Sequence, residues 1–247
     1  MDFYENLAPH YDALFPPDHS FMDFVARAAP SGPMRAYDAG CATGSAAIDL
    51  ALAGWDVFGV DLSAPMIAIA REKALRMGAG RARFECGDMS APDLVNDNSP
   101  TSLTLCLGNT LPHLDKESIL RFLLAIRAAM APGGLILIQT LNYSHPDIGA
   151  GFAFPAIAAE GSCLRRKYSA NPEGGLWFET EVETGGIIHA DRTALYPLQP
   201  ETLGFLLNGA GFINLGFAGG WKKPDFDPLK DRYVISTGRV QDRDRRT

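Results

Sequence analysis

A short apolar run, a turn and an amphipathic stretch recur along the first 143 residues, and this recurrence constrains the fold more than any other feature. Residues 35–40, 56–63, 82–89, 102–109 and 134–142 read as strands, and 46–54, 65–78 and 115–134 as helices. Ser63 or its neighbour caps the second helix, and Pro65 suits an early helical position. Strands alternating with helices call for crossover connections. The chain is therefore expected to be an α/β protein, doubly wound around a mostly parallel sheet.

Outside this rhythm the pattern changes. Residues 1–33 form a helical N-terminal arm: aromatics and acids mix in the first part, and 20–29 has apolar residues at helical spacing. The core is assigned to 34–149 and 197–239. Between them, 150–196 holds runs at 163–170, 175–184 and 186–198 with no helix, which reads as an antiparallel β insertion. A helix at 200–211 and a closing hairpin-like pair at 212–221 and 231–239 follow, and 240–247 is a charged tail.

The 247 residues carry a net charge of −7, which argues against nucleic acid or an anionic membrane as partner. A small molecule is the expected ligand. The four cysteines, Cys41, Cys86, Cys106 and Cys163, lack metal-ligand spacing, so no metal is expected and the thiols are read as reduced. No opening signal segment is evident, and the longest apolar runs fall short of the ~20 residues of a membrane span, so the expected location is the cytoplasm.

The chemistry gathers at strand ends. Asp38–Gly44, DAGCATG, is a glycine turn between a strand and a helix, where backbone can approach a ligand and free N–H groups face it. Only Gly40 and Gly44 are present, with Cys41, Ala42 and Thr43 between them, so a dinucleotide clamp is poorly supported. Asp61 follows about 20 residues on, where this kind of fold places a ribose-binding carboxylate. Asp88 ends the third strand beside Met89. Each has a plainer reading, as a simple turn, a helix cap and a turn residue.

Taken in order, YDAGCATG, VFGVDLS, ECGDM and LTLCLGNTLPHL resemble the successive motifs of the class I S-adenosylmethionine-dependent methyltransferases. CLGNTLPHL is similar to a segment of the glycine and sarcosine N-methyltransferases. The resemblance implies a seven-stranded sheet with its last strand antiparallel, and S-adenosyl-L-methionine as cofactor with S-adenosyl-L-homocysteine as product. It implies that Asp38, Gly40, Cys41 and Gly44 shape the methionine end of the pocket, that Asp61 holds the ribose, and that Leu62 and Met66 flank the adenosine. Asp88 and Met89 would meet the adenine, Leu107, Gly108 and Asn109 would line the path to the acceptor, and Tyr4 and Tyr11 would close over the site. Two positions depart from the pattern: Ala42 replaces a central glycine, and Leu141 stands where the glycine N-methyltransferases carry a substrate-binding arginine.

The expected reaction is in-line methyl transfer to a small polar acceptor, amine nitrogen ahead of hydroxyl oxygen, needing alignment more than strong catalytic groups. Asn109, His113 and Tyr143 are the candidates for catalysis, and His113 has an alternative role bracing the following helix. His10, Asn142, Arg165, Arg166 and Tyr168 are the candidates on the acceptor side; only one of the adjacent arginines can face inward on a strand. His145, before Pro146, reads as a turn residue at least as readily as a base. The insertion either covers the acceptor pocket or pairs subunits as a homodimer. The rivals are a non-catalytic cofactor-binding regulator and a nicotinamide-dependent reductase.

Overall fold

The computed structural model describes residues 7–90 and 99–242. Tyr4, residues 91–98 and the end of the charged tail lie outside them. The first five strands are β1 (Arg35–Ala39), β2 (Asp56–Asp61), β3 (Ala82–Cys86), β4 (Thr101–Cys106) and β5 (Met130–Leu141). With β10 (Ile213–Ala218) and β11 (Tyr233–Arg239) they form one seven-stranded sheet in the order β10-β11-β5-β4-β1-β2-β3. Pairing is parallel from β5 through β3, and β11 runs antiparallel to both of its neighbours.

The central strands β1, β4 and β5 are buried on both faces, as strands of a covered parallel sheet are. Leu135 and Leu137 of β5 join one core with Leu103, Leu105, Ile48 and Val25. Ile136 and Ile138, between them in sequence, join the other with Tyr37, Phe122, Ile126 and Leu203. The helices involved are α1 (Tyr11–Leu14), α2 (Ser20–Ala28), α3 (Ser45–Leu52), α4 (Ala64–Arg76), α5 (Lys116–Ala129) and α6 (Pro200–Gly209). None of the described helices is long and apolar enough to cross a membrane.

Local sequence explains the helix starts. Ser63 Oγ accepts the Met66 N–H at the head of α4, and the Asp115 carboxylate accepts the Ser118 N–H at 2.7 Å at the head of α5. Such caps contribute about 1 kcal/mol each. Asp115, and not His113, therefore starts α5. That helix also ends earlier than the sequence pattern predicts: Met130 already pairs with Thr101 in the sheet, so the stretch from 130 to 134 is strand. Pro132 could not donate a helical hydrogen bond there.

The insertion is a four-stranded antiparallel sheet, β6 (Ile157–Ala159), β7 (Ser162–Ala170), β8 (Leu176–Thr184) and β9 (Ile187–Leu195), in that spatial order. Sequence reading found the three long strands and missed β6, only three residues long. Leu164 and Val182 on one face pack with Leu7, Ala8 and Leu14 of the arm and Met66 of α4. The arm is thus held between the core and the insertion.

Candidate functional site

The C-terminal ends of the parallel strands carry the chemistry-bearing residues, as in open α/β sheets generally. After β1 the chain turns sharply, with Gly40, Ala42 and Gly44 all in the left-handed region at φ 70°, 47° and 77°. The Gly40 and Cys41 N–H groups both donate to the Val60 carbonyl, pinning the turn to β2. A methyl group on Gly40 would collide with Thr110, and one on Gly44 would lie 2.7 Å from the Phe84 ring. Both glycines are therefore required by protein contacts. Gly108, by contrast, has open space where a side chain would start.

Two carboxylates flank this turn. Asp61, at the end of β2, accepts the Ala42 N–H with one oxygen and the Ser63 N–H with the other, each at 2.9 Å. Asp38 is buried, and its Oδ2 has no hydrogen-bond partner. Burial, and then the nearby Asp61 charge, push its pKa up to about 7, against an opposing hydrogen bond from the Ala47 backbone. The Tyr11 phenol from the arm is within electrostatic reach of both acids; burial and then Asp61 push it to about 12.

A second group sits past the ends of β4 and β5. Asn109, itself left-handed at φ 65°, accepts the Leu141 N–H through Oδ1 at 2.9 Å and donates to the Tyr143 hydroxyl at 3.0 Å. The Tyr143 hydroxyl meets that of Tyr168 from β7 at 3.2 Å, and Asn109 Nδ2 lies 3.5 Å from it. Burial raises the pKa of both phenols, so both stay protonated. Arg166 lies two residues before Tyr168 on the same face of β7, its guanidinium 5.1 Å from the Phe15 ring and 4.6 Å from the Phe154 ring.

Residues 36–134, which include the glycine turn, Asp61 and Asn109, fit the family model described as a methyltransferase domain. This stretch is similar to a methyltransferase domain. Over 136 residues the chain is 29% identical to the ubiquinone biosynthesis O-methyltransferase of Chromobacterium violaceum, covering 53% of this chain and 56% of that one. The chain spans only 27% and 56% of the length of the first two curated relatives it matches. The fold matches that of the CcbJ methyltransferase from Streptomyces caelestis with a TM-score of 0.81 at 24% identity, covering 96% of this chain and 98% of that one. It also matches the sugar N-methyltransferase KedS8 from Streptoalloteichus, with a TM-score of 0.66 at 16% identity over 98% and 94% of the two chains.

Around this stretch several of the expected side chains are engaged within the protein. Met66 is buried with the arm and Met89 with Tyr37 and Val60, so both are core side chains and not open faces for adenosine. Asp88 is exposed and accepts from the Ser90 N–H and hydroxyl, both at 2.8 Å, which makes it a turn residue. Leu62, immediately after Asp61, is 72% exposed. Cys41 is buried and its thiol is pushed well above its ordinary pKa, so it is no nucleophile. Leu107 is half-buried beside one core.

Asn142 is also corrected. Its side-chain N–H groups go to the Pro228 and Asp231 carbonyls and its oxygen to the Ser144 N–H, which leaves nothing for an acceptor. Leu141 packs with Tyr143, Ile148 and Tyr168, so no charged clamp operates from that position. Arg165 faces outward and pairs with Glu183 at 3.1 Å. His145 is buried in a turn, its Nδ1 accepting the Asp147 N–H. His113 is half-buried, with its ring 6.5 Å from Phe178 of the insertion, and His10 is half-buried on the arm.

Sequence reasoning missed Lys73 and Asp12. Lys73 is 8% exposed and donates to Asp12 at 2.6 Å, Ser45 at 2.9 Å and Thr43 at 3.0 Å, while the Thr43 hydroxyl donates to Asp12. The arm is thereby tied to the glycine turn. The signal was available: Met66, Ala70, Lys73 and Ala74 share one buried stripe of α4, where a lysine needs a partner.

Proposed function

We propose that the chain is an S-adenosylmethionine-dependent methyltransferase acting on a small polar acceptor, with amine nitrogen favoured over hydroxyl oxygen. The observation that carries this reading is the pair of carboxylates astride the glycine turn, Asp38 with a buried, unpartnered oxygen and Asp61 at the neighbouring strand end. These residues fit the cofactor. An ammonium group would satisfy Asp38 Oδ2, Asp61 retains lone pairs for ribose hydroxyls, exposed Leu62 offers an apolar face, and the space beside Gly108 admits the sulfur end. Bound there, the cofactor would supply a methyl group already activated for displacement by its sulfonium.

The protein's part is alignment and exclusion of water. Asn109 fixes Tyr143 and Tyr168 beside the open space at Gly108, and the arm and insertion enclose them. Nitrogen is favoured because both phenols are held protonated and neither is a ready base. A neutral amine attacks without prior deprotonation, whereas a hydroxyl benefits from a base. His113 is the remaining group that would take a released proton.

Calorimetric titration with S-adenosylmethionine and with NAD, followed by transfer of labelled methyl to a panel of amines, phenols and acids, tests the reading. Binding of the sulfonium alone, with label appearing on amines, is the expected result. Preference for NAD would sink it, and binding without transfer across the panel would make the chain a regulatory cofactor binder.

A further inference from the structure

We propose that the methyl acceptor carries a carboxylate and that Arg166 holds it, an inference that rests on the methyltransferase reading above and specifies its substrate class. β7 sorts its cations by face. Arg165 and Lys167 point outward, and each pairs with a glutamate of β8, Glu183 at 3.1 Å and Glu179 at 3.0 Å. Arg166 lies between them on the inner face, with Leu164 and Tyr168 as its neighbours along the strand. Among the described residues it has no carboxylate partner.

Its Nε–H is buried without an acceptor. The guanidinium sits between Phe15 of the arm and Phe154 of the segment leading into β6, with the phenols of Tyr11, Tyr168 and Tyr233 within electrostatic reach. Aromatic faces attract the cation, but they do not take up hydrogen bonds in the guanidinium plane. Burial depresses the Arg166 pKa, and a guanidinium is the side chain that keeps its charge in such a place. A half-buried, charged fork whose Nε–H lacks an acceptor is a site for a planar anion, and a carboxylate matches it bidentately.

The charge count selects carboxylate over phosphate. Other cations of β7 and of the contact between α4 and the arm are committed: Lys73 to Asp12, Arg165 to Glu183 and Lys167 to Glu179. One guanidinium balances one negative charge. Placement agrees, because Tyr168 shares the face of β7 with Arg166 and its hydroxyl touches Tyr143, so an anion on Arg166 would lie beside the Asn109 group. The anchor thus comes from the insertion, while Leu141 leaves the end of β5 apolar.

The competing role is a brace, with Arg166 serving only to clasp Phe15 and Phe154 together. Arginine Nε–H resonances of the S-adenosylhomocysteine-loaded protein separate the two, with Arg166→Lys supplying the assignment. Anthranilate and phenylalanine are titrated against anthranilamide and phenylalaninamide, with phenyl phosphate as a further arm. The Arg166 resonance is expected to move with the carboxylates and not with the amides, and Arg166→Gln to weaken anthranilate binding by about 100-fold while S-adenosylhomocysteine affinity stays unchanged. No response to either carboxylate, equal response to the amides, or tighter binding of phenyl phosphate overturns the proposal. Failure to bind S-adenosylhomocysteine would instead remove the methyltransferase reading, and the same titration of the unloaded protein then still decides whether Arg166 holds carboxylates.

Discussion

Asp61 and Ala42 are joined by a hydrogen bond of 2.9 Å that ties the end of β2 to the middle of the glycine turn. The same carboxylate holds the Ser63 N–H at the head of α4, so one side chain fixes both walls of the proposed ribose site before any ligand arrives. Asp61→Ala is expected to weaken S-adenosylmethionine binding by about 1–3 kcal/mol. Unchanged affinity by calorimetry would remove Asp61 from the site.

The two ends of the turn should respond oppositely to small changes. Gly44→Ala puts a methyl 2.7 Å from Phe84 and 3.0 Å from Ala70 with φ at 77°, and it should cost at least ~2 kcal/mol in urea unfolding. Ala42→Gly relieves a left-handed alanine at φ 47° and removes one methyl contact with the arm cluster. Those effects are each about 1 kcal/mol and of opposite sign, so the net change should stay within ~1 kcal/mol.

Asp38 makes the stability of the free protein depend on pH. Its folded pKa of about 7 lies above the ordinary 3.8, so the unfolded chain binds fewer protons between those values and stability falls as pH rises through that window. Asp38→Asn should stabilise the cofactor-free protein at pH 8, by on the order of 2–4 kcal/mol at most, read as a higher melting temperature, and leave it little changed at pH 4. The same variant should bind S-adenosylmethionine less well. Cofactor binding to the native protein near pH 7 should release protons, read as a dependence of calorimetric heat on buffer ionisation enthalpy.

Lys73→Met removes the cation that joins Asp12 to Thr43 and Ser45. Asp12 is partly exposed, so water recovers part of the loss, and a destabilisation of roughly 1–3 kcal/mol is expected. Protease cleavage should become faster within residues 7–15 before it does so in the core, and equal protection there would show that the apolar contacts of Leu7 and Leu14 hold the arm alone.

The doubly wound sheet was legible because β5 carries the apolar run Leu135–Ile138, buried on both faces, because strand and helix patterns alternate, and because Ser63 and Asp115 mark helix starts. The position of Asp61, at the end of β2 against the turn, was legible from its spacing. What the sequence hid were choices of side-chain direction. Arg165 and Arg166 are adjacent, and only the register of β7 against β8 says which one faces in. Asn142 follows Leu141 in a segment that looks functional, yet its amide is used to hold the 228–231 loop, a long-range contact with no local signature. Met66 and Met89 lie at motif positions but turn inward.

The insertion leaves the core after β5 and rejoins it at α6, so its four strands form a continuous cassette bounded by Leu141 and Pro200. The donor-side carboxylates, Asp38 and Asp61, lie outside that cassette, while Tyr168 and Arg166 lie within it. On the proposed reading the fold therefore separates inheritance of the cofactor from choice of acceptor: exchange of one contiguous stretch of gene is expected to reassign the substrate and leave the methyl donor untouched.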